Sequence, residues 1–162
     1  HYGRGFALCR NANHRGWGAP AALRMEGGSI GLQIGGAETD IFMLVMNDKG
    51  MKKLLESKFT LDANAGAAAG PVGRSSTART DAQFQAGILS WSRSRGAFAG
   101  LTVGGGTLRQ DLDENAELYG KPMTNKQILA GGVKAPAAAA ALIATLSKYS
   151  RVEEGHGKRQ KK

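Results

Sequence analysis

Trp91, Arg93 and Arg95 stand at alternate positions in Trp91-Ser92-Arg93-Ser94-Arg95-Gly96-Ala97-Phe98-Ala99-Gly100. Alternate residues of a strand share one face, so an indole and two guanidiniums line up while the serines point the other way. Such a face suits an anionic surface, because the planar donor fork of arginine matches phosphate. A second basic group is Lys49, Lys52 and Lys53, and Arg74 ends the turn Gly70-Pro71-Val72-Gly73-Arg74. Each group also has a plainer reading. The lysines fit a solvated helix face, with Lys52 paired to Asp48 or Glu56 at i, i+4. Arg93 and Arg95 fit an exposed strand, and Trp17 reads as a core residue at a turn.

No catalytic constellation competes with these residues. Ala68-Ala69-Gly70-Pro71-Val72-Gly73-Arg74-Ser75 imitates the end of a phosphate loop, but Ala68 replaces the opening glycine and Arg74 the lysine. Pro71 also removes an N–H that such a cradle uses. Asp111-Leu112-Asp113-Glu114-Asn115 opens like a calcium loop, yet Ala116 stands where glycine is required and Pro122 where glutamate is. His1, His14 and His156 lack metal-ligand spacing, and Cys9 with His14 is a poor pair. No Gly-x-Ser-x-Gly elbow nominates a serine. The expectation is a non-enzymatic binding module without cofactor or metal.

The net charge is +9. The tail 151–162 holds five of the 22 basic residues and two of the 13 acidic ones, so most of the excess lies in the body of the chain. That favours acidic partners: anionic lipid headgroups or an acidic protein surface. Nucleic acid is not expected, since no recognised nucleic-acid motif accompanies the charge. With 162 residues the chain is long enough for one domain with a real core. Cys9 is the only cysteine, which excludes an internal disulfide. No apolar run approaches the ~20 residues of a spanning helix.

The elements that must position these residues are strands first and helices last. Ranges 5–10 and 21–25 read as short strands around the turn Gly16-Trp17-Gly18-Ala19-Pro20. Range 28–36 alternates like a half-buried strand, with Ile30, Leu32 and Ile34 on one face. Range 39–47 is apolar on both faces, which predicts a central strand covered on both sides. Asn47 or Asp48 caps a helix to about 57, with Met51, Leu54 and Leu55 as its apolar face. Range 60–70 reads as one alternating strand with Leu61, Ala63, Ala65, Ala67 and Ala69 together. Ranges 84–94 and 98–103 read as a strand pair around Arg95-Gly96. Asp111 with Glu114 suggests a capped helix that Gly120 and Pro122 stop. Thr124 starts another, to about Ala130, and Pro136 opens a third, to about Tyr149. The expected fold is α+β and β-rich: a twisted antiparallel sheet or partly closed barrel with short peripheral helices. The expected organisation is a domain at 1–150 and a basic flexible tail at 151–162.

Six ordered segments resemble the SYLF domain family. They are Gly16-Trp17-Gly18-Ala19-Pro20-Ala21, Gly31-Leu32-Gln33-Ile34-Gly35, and Asp40 leading to Leu44-Val45-Met46-Asn47. Then come Ala67-Ala68-Ala69-Gly70-Pro71-Val72-Gly73-Arg74, Ser92-Arg93-Ser94-Arg95-Gly96-Ala97-Phe98-Ala99-Gly100, and Asn115 with Tyr119-Gly120. The resemblance implies a lipid-binding module; eukaryotic members are similar to phosphoinositide binders, and some bind or bundle actin filaments. On this basis Trp91, Arg93, Arg95, Arg74, Lys49, Lys52 and Lys53 are candidate lipid-binding residues, and a protein scaffold of actin-regulator type is the alternative. The chain resembles a bacterial-type member, which favours the cell envelope or periplasm. The family's domain begins earlier, with an N-terminal helix and a first strand pair. The sequence is therefore expected to be N-terminally incomplete and to leave a sheet edge or apolar surface uncovered. The family's usual glutamate is replaced by Gly104.

Overall fold

A computed structural model describes residues 2–27, 29–30, 39–61, 67–72, 85–94, 97–100 and 103–151. The fold is α+β and β-rich. The strands are β1 (Tyr2–Ala7), β2 (Ala21–Glu26), β3 (Ser29–Ile30), β4 (Asp40–Val45), β5 (Lys58–Leu61), β6 (Ala67–Ala69), β7 (Ile88–Ser94), β8 (Ala97–Gly100), β9 (Val103–Gly104) and β10 (Gly106–Gln110). The helices are α1 (Asp48–Leu54), α2 (Leu112–Tyr119), α3 (Asn125–Leu129) and α4 (Ala140–Tyr149), the last preceded by a 3-10 turn at Ala137–Ala139. The strands form twisted open sheets: β1-β2-β10-β5, the pair β3-β9, and β4-β7-β6 with β8 also on β7. Among the described residues no sheet closes into a barrel.

The chain divides into two compact units, one of residues 1–5 and 23–111, the other of residues 6–22 and 112–162. In the first unit, β10 lies between β2 and β5, antiparallel to both. Period-two alternation puts Met25, Leu108 and Phe59 opposite one another on the inner face, all buried. Leu61, fully buried, belongs to the same layer. Asp111 is buried with the Arg4 guanidinium 3.6 Å away.

β7 is the spine of the other large sheet. β4 runs antiparallel along one edge; β6 covers residues 88–90 of the other edge and β8 covers residues 91–94. β6 pairs with β7 in parallel, whereas β4 and β8 pair with it antiparallel. The expected single strand over 60–70 is instead two strands in two sheets, β5 and β6, so Leu61 shares no face with Ala67 and Ala69. Alternation in sequence had no means of showing that break. Residues 62–66 of that stretch lie outside the described residues, as do 31–38 and 152–162.

α1 begins as expected: the Asn47 side chain accepts from Gly50 N at 2.9 Å. Its amide also donates to Ala86 O, and Met46 N donates to Gly87 O. Gly50 and Gly87 meet where a Cβ on Gly50 would lie 2.1 Å from Gly87 O. Only glycine tolerates that backbone approach.

In the second unit, Ala19, Ala21 and Ile128 form a core, with Tyr119, Met123, Leu129, Val133 and Ala135 packed against it. Asn115 is fully buried and satisfied: its oxygen accepts from Ala22 N at 2.8 Å, and its amide donates to Asn125 Oδ1 and Met123 O. The Asn125 amide returns to Ala22 O at 3.0 Å. α2 stops as its sequence dictates, with Gly120 at φ 68°. Thr124 opens α3 with a complete capping box to Gln127. Trp17 is half-buried at its turn; its indole donates to Ser150 Oγ at 2.9 Å and lies under the Arg10 guanidinium, 4.8 Å from the ring centre.

Gly50→Ala decides between two opposed effects. Helix propensity favours alanine by about 1 kcal/mol. The overlap with Gly87 costs about 2 kcal/mol or more, since overpacking typically costs that much. Urea unfolding should show a net loss of stability; a gain would mean that α1 is not held against Gly87.

Candidate functional site

The exposed face of the β4–β7–β6 sheet combines large apolar side chains with a cation. Register places Phe42 directly opposite Trp91, Asp40 opposite Arg93, and Leu44 opposite Leu89. These residues therefore share one face. Phe42 is 55% exposed, Leu44 49% and Met46 46%. Val72 is also exposed. Phe42, Leu44, Val72 and Trp91 line one shallow, open groove.

Trp91 is fixed within this groove. Its indole lies over Gly70, where a Cβ would come within 1.9 Å of the ring. Its Nε1 donates to Pro71 O at 3.1 Å. Gly70 N in turn donates to Ser90 O at 2.8 Å, so β7 holds the segment that seats its own tryptophan. Ser90 faces the other way and is buried, as the alternation required.

β4 corrects the expectation of a strand covered on both faces. Ile41, Met43 and Val45 are half-buried, while Phe42, Leu44 and Met46 on the opposite face are exposed. The doubly apolar pattern thus arises from one packed face and one open apolar face. Sequence reasoning missed Phe42 and Leu44 as surface residues for that reason. The signal was their hydrophobicity itself, which burial and exposure at an interface share.

The nominated residues fall into separate groups. Trp91 and Arg93 lie together on the outer face of β7, with Arg93 exposed. Arg95 and Arg74 lie outside the described residues. Lys49 and Lys52 are exposed on α1. Lys53 is half-buried and pairs with Glu56 at 3.1 Å, an i,i+3 pair in place of the expected pairing through Lys52. α1 touches the chain at Gly87, at the start of β7. At a strand rise of about 3.3 Å per residue, Arg93 stands roughly 20 Å further along.

Comparison with known proteins gives this geometry a context. Residues 26–149 match a family profile described as Ysc84: Las17-binding protein actin regulator. The chain belongs to the Ysc84 family. That is the family to which the SYLF motifs pointed. Protein YSC84 of Saccharomyces cerevisiae is 34% identical over 133 residues, covering 80% of this chain and 28% of that protein. LAS seventeen-binding protein 3 of Saccharomyces cerevisiae (strain ATCC 204508 / S288c) is 33% identical over 133 residues, covering 80% and 29%. SH3 domain-containing YSC84-like protein 1 of Homo sapiens is 27% identical over 158 residues, covering 97% and 46%. The chain spans less than half the length of each of these relatives. No solved structure matches it.

The Ysc84 match includes β4, β6, β7 and the groove they form. Burial raises the Cys9 thiol of this Ysc84-family chain above its ordinary value, which disfavours the thiolate. No helix among the described residues is long and apolar enough to cross a membrane.

Gly70→Ala should evict the Trp91 indole from its seat, since the new Cβ occupies the ring's position. In a Trp17→Phe background, Trp91 fluorescence should move to the red as the indole gains solvent. An unchanged emission maximum would show that the ring does not rest on Gly70.

Proposed function

We propose that this chain is a protein-binding module of actin-regulator type, which docks its partner on the exposed face of the β4–β7–β6 sheet. The observation that carries this reading is the groove of Phe42, Leu44, Val72 and Trp91 inside the segment that matches the Ysc84 family. Contiguous exposed apolar surface of this kind marks an interaction site. A rigidly seated tryptophan is the residue type that most often dominates interface energetics. Asp40 and Arg93 at one end add polar groups that fix orientation. The partners named for the family, Las17 and actin, are the ones to test. Wild-type chain should bind Las17 or co-sediment with actin filaments. Phe42→Ser with Leu44→Ser should weaken that binding by about tenfold or more, as loss of an interface anchor does. Circular dichroism should be unchanged, because both side chains face solvent. Failure of the wild type to bind either partner would overturn this reading.

A second reading is peripheral binding to anionic lipid, with phosphoinositide-like headgroups as the ligand class. It is favoured by the shared face of Trp91 and Arg93 with exposed Phe42 and Leu44, which offers apolar insertion next to a cation. Arg95, Arg74, Lys49, Lys52 and Lys53 complete its proposed contacts. Each basic residue near such a surface is worth about 1 kcal/mol, so a double charge reversal is needed to see the effect. Arg93→Glu with Arg95→Glu should abolish co-sedimentation with anionic vesicles. Loss only with Lys52→Glu and Lys53→Glu would move the site to α1, and salt-insensitive binding to neutral vesicles would discard the electrostatic mechanism.

A further inference from the structure

The sheet β1-β2-β10-β5 carries a charge arrangement that no stretch of sequence displays. Its inner face is the buried row Met25–Leu108–Phe59. On the opposite face Arg109, on the central strand, lies directly across from Arg24 on β2 and from Lys58 on β5. Three cations thus occupy one rung, with Cβ atoms of neighbours about 5 Å apart. Like charges directly opposite one another are destabilising. One acid relieves them in part: Glu26 reaches Arg24 Nε at 3.3 Å and Arg109 Nη1 at 3.0 Å. Both arginines remain more than a third exposed. Lys58 is exposed, and among the described residues no carboxylate lies within ion-pairing distance of it. The rung therefore keeps an excess of two positive charges. The next rung on this face is Glu26–Thr107–Thr60, polar throughout.

The geometry points to the Arg24–Arg109–Lys58 rung as a docking site for an acidic protein surface that presents carboxylates about 5 Å apart. Side chains at i, i+4 on a helix have that separation, about 5–6 Å. Glu26 already shows how a carboxylate seats here, bridging two guanidiniums. A partner carboxylate between Arg109 and Lys58 repeats that arrangement at the open end, with the Thr60 and Thr107 hydroxyls as neighbouring donors. A bilayer is the poorer occupant. Two uncompensated charges near an anionic membrane raise binding by only roughly 30-fold. Carboxylates held at matching spacing gain charge-assisted hydrogen bonds instead. The inference rests on the chain being a protein-binding module and adds the chemistry of a second contact.

The probe is a labelled helical peptide with glutamates at i, i+4, titrated against its glutamine counterpart by fluorescence anisotropy. Wild type should prefer the glutamate peptide and lose that preference at high salt. Lys58→Glu should weaken binding by about tenfold, and Lys58→Gln by less; that ordering follows charge and not folding. Lys52→Glu with Lys53→Glu on α1 should leave it unchanged. Equal binding of the two peptides by wild type, or wild-type affinity in folded Lys58→Glu, would overturn the proposal. So would a Lys58→Glu variant that loses binding to anionic vesicles but keeps the peptide. Loss of Las17 and actin binding with the peptide preference intact would overturn the broader reading alone.

Discussion

The approach of Gly50 to Gly87 is the constraint from which the candidate site follows. With no Cβ on either residue, the backbone of α1 lies against the start of β7. Asn47 exploits that closeness twice, capping α1 at Gly50 N and reaching Ala86 O. Met46 N bonds to Gly87 O at the same point. β4 therefore enters its ladder with a fixed register, and a strand's register decides which residues face out. Phe42 opposite Trp91 and Asp40 opposite Arg93 are consequences of that starting point.

A second close approach seats the tryptophan. Gly70 leaves room for the indole, and Pro71 supplies the carbonyl that its N–H needs. A buried or half-buried indole usually finds such a partner. Pro71, which argues against a phosphate cradle, thus has a positive role in this structure. The absent N–H is irrelevant there, and the carbonyl is what Trp91 uses.

The first unit presents two chemically different surfaces. The β4–β7–β6 face is apolar with a cation at one end. The outer face of β2–β10–β5 is polar and cationic, with one resident carboxylate. Hydrophobic burial gives affinity without direction, whereas paired charges give orientation and rate. The second unit is organised differently, around the buried pair Asn115 and Asn125 bonded to both backbone groups of Ala22. A fully satisfied buried network of this kind specifies one arrangement, since any slip would strand polar groups away from water.

The sequence by itself determined everything that depends on neighbours in the chain. Asn47 capping α1, Thr124 opening α3 and Gly120 ending α2 all rest on local hydrogen bonds or backbone freedom. The strand face shared by Trp91 and Arg93 follows from period two alone. The family was legible too, because its motifs are short runs in a fixed order. Tertiary structure decided what depends on which strands meet. Alternation over 60–70 looked continuous, yet β5 and β6 pair with different partners. The apolar pattern of 39–47 is compatible with burial on both faces, and only the folded chain shows that Phe42 and Leu44 are open. Arg24, Lys58 and Arg109 are far apart in sequence and become one charged rung only through the register of β2, β10 and β5. Pairing is a contact between distant residues, and the local chemistry of each strand carries no record of it.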